Sequence, residues 1–129
     1  RSISGSTVYY HRRFIESALT AESKAPKSLI GSSQPVSWNQ IQMKYRITSE
    51  RLAKLIQNRL NDVRQTPDTR VQGAPLLVLE GADMPAVVIE IGNLSNPNEE
   101  KMMRDSKFLA SLAQAIARGV DTFFTEKPQ

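Results

Sequence analysis

Apolar residues in this chain gather into short runs that have the length of β-strands. The clearest run spans Ala86 to Ile91, and two others span Ser6 to His11 and Pro75 to Glu80. Runs rich in valine, isoleucine and tyrosine predict strands. In the second and third runs along the chain, apolar residues fill successive positions instead of alternating with polar ones. Those strands are therefore expected to be buried on both faces.

Between the strands, apolar positions recur at helical spacing. A long amphipathic helix is predicted from Ile41 to about Gln65, and Pro67 stops it. The last helix is predicted to begin with Ser106 as its cap and to reach Phe123. Two shorter helices are predicted over 12–23 and 96–105.

This alternation of about three strands with three to four helices predicts an α/β fold. Strands buried on both faces require helices above and below a mostly parallel sheet. At 129 residues and 40% hydrophobic, the chain predicts one globular unit over residues 1–129. A sheet of three strands is thin, so the unit is expected to be an incomplete half of a domain. An exposed strand edge would then favour self-association or pairing with the missing half.

Composition narrows the range of partners. No apolar run approaches the ~20 residues of a membrane span. The net charge of +4 suits attraction to anionic surfaces, although a mild excess of charge is also common on ordinary soluble proteins. The basic residues are spread out and have no aromatic residues interleaved among them. This pattern disfavours a nucleic-acid interface.

Glu90 places a carboxylate at the end of the third apolar run. A buried glutamate costs several kcal/mol unless it is neutralised or paired. Gly92 follows, and Asn96 with Pro97 predicts the start of a helix. This order is typical of an active site at the carboxyl end of a sheet. The residues alone equally allow a structural carboxylate that pairs with Arg70 or accepts amides at the helix start.

The segment around Glu90 resembles a family motif. Met84 to Pro97 contains Pro-Ala-Val-x-x-Glu-x-Gly-x-x-Ser-Asn, which resembles the last strand of the zinc-dependent N-acetylmuramoyl-L-alanine amidases. Asn93 departs from the family, where an aromatic residue is common. Weaker similarities follow in the family's order along the chain, at Gly5 to Tyr10, Ser49 to Ala53, Arg70 to Leu79 and Leu112 to Val120.

The resemblance implies that Glu90 is the catalytic acid/base. It also implies zinc in the intact domain, held by two histidines and a glutamate that precede the strand matched by Gly5 to Tyr10. His11 matches none of these ligands and is interpreted as an ordinary strand-end histidine. The chain is therefore expected to be the carboxyl-terminal half of a catalytic domain. No metal-ligand or cofactor-binding residue is predicted within it, and alone it is expected to bind no zinc.

The function implied by the resemblance is peptidoglycan hydrolysis in the cell envelope, either in the periplasm or in an extracellular wall. The bond cleaved joins N-acetylmuramic acid to the L-alanine of the stem peptide. The alternative is a non-catalytic, amidase-like module that binds the cell wall or a protein partner. Whether this chain acts as an enzyme by itself stays open, because it lacks the zinc ligands.

Overall fold

The computed structural model describes residues 4–12, 38–65 and 68–126. Within these ranges the chain forms three strands and three α-helices, and the α/β class expected from the sequence is confirmed. The helix predicted over 12–23 falls outside the described residues.

The sheet has its first strand at the centre. Strand β1 (Thr7–His11) pairs in parallel with β2 (Arg70–Ala74) and antiparallel with β3 (Val87–Glu90). The sheet is therefore mixed, with the order β2-β1-β3. A parallel β3 would need a crossover connection, which usually contains an α-helix. Residues 75–86 contain only a short 3-10 turn, so the chain reverses direction at this point.

The second strand lies earlier in the chain than the sequence predicted, so the prediction of a strand from Pro75 to Glu80 is wrong. The strand ends at Ala74, and the next residue, Pro75, has no N–H to donate to a ladder. The apolar run then folds into a 3-10 turn at Leu77–Leu79. The true strand alternates polar and apolar side chains because only one of its faces packs on the core.

Three α-helices complete the described chain. A 3-10 segment at Trp38–Tyr45 leads into α1 (Arg46–Arg64), so the long predicted helix is divided in two. Helix α2 (Pro97–Met103) begins at Asn96, whose side chain accepts from the Asn98 amide as predicted for a cap. Helix α3 is Ser106–Thr125, and its cap is Asp105 instead of the predicted Ser106. The Asp105 carboxylate accepts from the Lys107 amide at 2.9 Å.

The hydrophobic core lies between the sheet and the two long helices. Helix α1 packs against all three strands, and α3 packs along α1. The buried apolar residues shared by these elements are Val8, Leu52, Ala53, Ile56, Leu60, Leu112 and Ala115. In the part of the chain described here, helices cover the face of the sheet that bears Val8. None of the described helices is both long and apolar enough to cross a membrane.

Close contact between the long helices depends on Gly119. A Cβ added at this buried glycine would lie 2.9 Å from both Cα and Cγ1 of Ile56 in α1. Backbone atoms cannot rotate away as a flexible side chain can, so the two helices would have to separate.

Gly119→Ala should therefore destabilise the protein, although alanine is the better helix former. Overpacking typically costs about 1–3 kcal/mol, and the gain in helix propensity returns about 1 kcal/mol. We expect a net loss of up to about 2 kcal/mol in the free energy of unfolding of the full-length protein. Ala117→Gly, at an exposed position of the same helix, measures the propensity term alone. Stabilisation by Gly119→Ala would show that the helices have room at this crossing.

Candidate functional site

An open groove lies on the outer face of the sheet, opposite the helical core. It occupies the end where β1 and β2 begin and where β3 ends. The groove has a volume of about 620 Å³, and its lining includes Thr7, Tyr9, Arg70, Gln72, Glu90 and Asn93. Glu90 thus ends its own strand as predicted. Because β3 is antiparallel, this end of the sheet is the amino-terminal end of the other two strands.

Strand register explains why polar groups converge there. Thr7 lies opposite Arg70 on one side and opposite Glu90 on the other. Side chains alternate between the faces of a strand, so these three share the outer face. The next row on that face joins Gln72 to Tyr9. The inner face carries apolar residues, among them Val8, Val71, Val87 and Ile89.

Glu90 is exposed, so the expectation of a carboxylate buried within a strand covered on both faces is wrong. Its Oε2 atom is 3.4 Å from the Tyr9 hydroxyl, which donates a long hydrogen bond. Among the described residues Glu90 forms no ion pair and accepts no amide of a helix start, so neither contact of the structural alternative is present there. Arg70 donates instead to the Ser4 carbonyl at 3.2 Å. The Glu90 carboxylate therefore faces the groove without a partner of opposite charge in this part of the chain.

The buried carboxylate is Glu99, in the first turn of α2, and sequence reasoning missed its role. Glu99 is 4% exposed. Its Oε1 accepts from the Gly5 amide at 2.7 Å and from Arg64 Nη2 at 2.7 Å, while its Oε2 accepts from the Asn93 amide at 2.8 Å. One side chain thus joins the start of β1, the end of α1 and the loop after β3.

Arg64 completes this arrangement from the last turn of α1. Only 5% of its side chain is exposed. Besides Glu99, the guanidinium donates to the Ile91 carbonyl at 3.1 Å and to the Asp68 carboxylate at 3.1 Å. The ion pair therefore holds the backbone on both sides of Gly92, immediately after Glu90.

The charge of Glu99 is stabilised in spite of its burial. Desolvation by itself would raise the pKa of this carboxyl. Hydrogen bonds from the Gly5 and Asn93 amides, with the charge and hydrogen bond of Arg64, outweigh desolvation and hold the pKa below its ordinary value. Glu99 is therefore ionised at neutral pH, and it fixes the loop as an anion.

Gly92 is required by this packing. A Cβ at this position would lie 2.7 Å from Met103 Cε and 3.4 Å from Glu99 Oε2. A glycine directly after a strand commonly permits a turn or the close approach of a ligand. The structure shows that it makes room for side chains of α2 beneath the loop.

The start of β3 is fixed by a second buried polar group. Ser49 is fully buried in α1, and its hydroxyl accepts from the Ala86 amide at 3.1 Å. The same hydroxyl contacts the amide oxygen of Gln42, whose nitrogen donates to the carbonyls of Ala82 and Met84. Ser49, the first residue of the Ser49 to Ala53 segment that resembles the family, therefore attaches α1 to the strand that carries Glu90.

His11 lies far from the groove. It is fully buried at the opposite end of β1 from Thr7, and its Nδ1 is 3.3 Å from the Leu76 carbonyl oxygen. Four residues of strand separate the two positions by about 13 Å. Within the described ranges, no three His, Cys, Asp or Glu side chains are grouped so that they could hold a metal ion. The residues described here thus do not by themselves fit a catalytic zinc site, which needs three protein ligands.

Comparison with known proteins relates this chain to one enzyme family. A family model described as N-acetylmuramoyl-L-alanine amidase matches residues 1–122. The amidase AmiC of Neisseria meningitidis serogroup B is 37% identical over 75 residues, which are 58% of this chain and 18% of AmiC. The germination-specific N-acetylmuramoyl-L-alanine amidase of Bacillus subtilis is 32% identical over 84 residues, covering 61% of this chain and 34% of that protein.

A solved structure supports the fold. The CwlD amidase of Clostridioides difficile, determined in complex with the GerS lipoprotein, superposes with a TM-score of 0.65 at 22% identity. The match covers 95% of this chain and 47% of that one. The chain therefore spans about half the length of this solved amidase and a smaller share of the curated relatives.

Removing the charge of Glu99 should destabilise the protein. Glu99→Gln removes the more buried of the two carboxylates that pair with Arg64 and leaves Asp68 as the other. The loss should therefore be large but should not exceed the cost of breaking a buried pair, which is typically about 3–5 kcal/mol. Because the folded-state pKa is lowered from 4.5, the stabilisation is complete above about pH 4.5 and is lost as the pH falls through the folded pKa. Urea unfolding of the full-length protein between pH 7 and pH 3 measures both effects.

The neighbouring Glu100 provides the control. It forms a surface pair with Arg104 at 2.6 Å within one helix, a type of pair that contributes only about 0.3–0.5 kcal/mol. Glu100→Gln should keep the stability and acid sensitivity of the wild type, whereas Glu99→Gln should show a flatter dependence on pH. Equal effects of the two substitutions would contradict the assignment of Glu99 as the buried anchor.

Proposed function

Because the chain belongs to the N-acetylmuramoyl-L-alanine amidase family, we propose that the protein hydrolyses the amide bond between N-acetylmuramic acid and the L-alanine of the stem peptide. Its substrate is then peptidoglycan, and its place of action is the cell envelope. The groove on the outer face of the sheet is the part of this chain that meets the substrate.

One observation carries the proposal. Glu90 presents an exposed carboxylate to an open groove of about 620 Å³ and has no ion-pair partner among the described residues. A structural carboxylate is usually paired or hydrogen-bonded when it is buried, as Glu99 is. Glu90 is not buried, and its contact among the described residues is one long hydrogen bond from Tyr9 at 3.4 Å, whereas the groove provides room for a substrate.

In this proposal, Glu90 acts as the general acid/base. Its carboxylate takes a proton from the attacking water and passes it to the nitrogen of the leaving L-alanine. Strand β3 sets the position of this carboxylate in the groove. Glu99 holds the loop that follows β3 and so keeps the end of the strand in place. Proton transfer is sensitive to placement, so a rigid support behind the acid/base is an advantage.

The family resemblance also implies zinc, and the described residues do not supply a ligand set for it. We therefore assign this chain the acid/base carboxylate and the groove that it faces. A zinc site would have to draw on residues beyond those described here.

Glu90→Gln tests the proposal in the full-length protein. Glutamine keeps the size of the side chain but cannot shuttle a proton, so the rate of stem-peptide release from purified peptidoglycan should fall about 10²–10⁴-fold. The melting temperature should hardly change, because Glu90 is exposed and unpaired in the described structure.

Glu80→Gln is the matched control, since Glu80 lies outside the lining of the groove. It should leave the rate of release unchanged. Retained hydrolysis by Glu90→Gln, together with a large fall in melting temperature, would show that Glu90 is a structural residue and would refute its catalytic assignment.

A further inference from the structure

We propose that Arg70 is a specificity-determining residue, which binds a carboxylate of the stem peptide beyond the L-alanine. This inference rests on the proposed amidase function and assigns the second wall of the same groove. It concerns which stem peptides are accepted, whereas the assignment of Glu90 concerns the chemistry.

The position of Arg70 follows from strand register. Arg70 begins β2 opposite Thr7, and Glu90 lies opposite Thr7 on the other side. Arg70 and Glu90 therefore form the two walls of the groove, with Thr7 on its floor. Two strand spacings separate their backbones by about 10 Å. A substrate that lies across β1 would contact both side chains at once.

The guanidinium of Arg70 is available to a ligand. Arg70 is exposed, and its Nη2 donates to the Ser4 carbonyl at 3.2 Å. Among the described residues it forms no ion pair. The bond to Ser4 orients the side chain while other N–H donors stay free. A planar fork of N–H groups suits bidentate recognition of a carboxylate.

The chemistry of the substrate matches this geometry. A stem peptide is an acidic peptide, and the residue after L-alanine carries a carboxylate that can be free or amidated. Two residues of extended chain span about 7 Å. With the scissile amide beside Glu90, this carboxylate falls within reach of the long side chain of Arg70.

Paired substrates test the inference in the full-length protein. Two synthetic muramoyl tetrapeptides would differ only in the residue after L-alanine, which has a free carboxylate in one and a carboxamide in the other. The wild type should prefer the free carboxylate. Arg70→Gln should lower kcat/KM by about 10- to 100-fold on that substrate and much less on the amidated one, whose neutral amide binds the guanidinium more weakly, so the preference disappears. Arg70→Lys should retain part of the preference, because it keeps the charge and loses the fork.

Arg59→Gln, at an exposed position of α1 outside the groove, should leave the preference intact. An equal loss on both substrates in Arg70→Gln, or an unchanged preference, would overturn this inference while leaving the amidase function in place. Release of stem peptides from whole peptidoglycan by the wild type is measured alongside. If the wild type releases no stem peptides, the proposed function itself is refuted, and this inference with it.

Discussion

The buried ion pair between Arg64 and Glu99 is the constraint on which the functional face depends. Removing water from two charges costs several kcal/mol, so such a pair persists only when further hydrogen bonds satisfy both partners. Here Glu99 also accepts two backbone amides, and Arg64 also donates to a carbonyl and to Asp68. These contacts bring the start of β1, the end of α1 and the loop after β3 to one point.

The position of the groove residues depends on this junction between the start of β1, the end of α1 and the loop after β3. Strand β3 is held at its start by the Ser49 hydroxyl and just beyond its end by Arg64, so the position of Glu90 is determined by two buried polar contacts outside the groove. This chain thus uses one carboxylate of the segment, Glu99, as a support and, in our proposal, the other, Glu90, for chemistry. Burial distinguishes the two, since Glu99 is enclosed and Glu90 is exposed.

Sequence reasoning succeeded where the signal is local. The strand of Glu90 and the helix start at Asn96 were predicted because an apolar run and an Asn-Pro pair are read within a few residues. Glu99 was missed because its partners Gly5 and Arg64 lie 94 and 35 positions away in the sequence. The β2 strand was misplaced because the apolar run at Leu77 and Val78 was interpreted as a buried strand. In the structure these side chains are exposed in a turn, and an apolar run does not distinguish the two. The catalytic assignment of Glu90 stays a prediction from the family motif.

A double-mutant cycle between Arg64 and Glu99 tests the central claim most directly. The free energy of unfolding would be measured for the full-length protein, for Arg64→Met, for Glu99→Gln and for the double variant. If the two side chains form one buried interaction, each single change leaves the remaining side chain buried with part of its charge and hydrogen bonding unsatisfied. The double variant should then be more stable than additivity predicts by about 2 kcal/mol or more. Additive losses, within about 0.5 kcal/mol, would contradict the claim that this pair organises the loop behind Glu90.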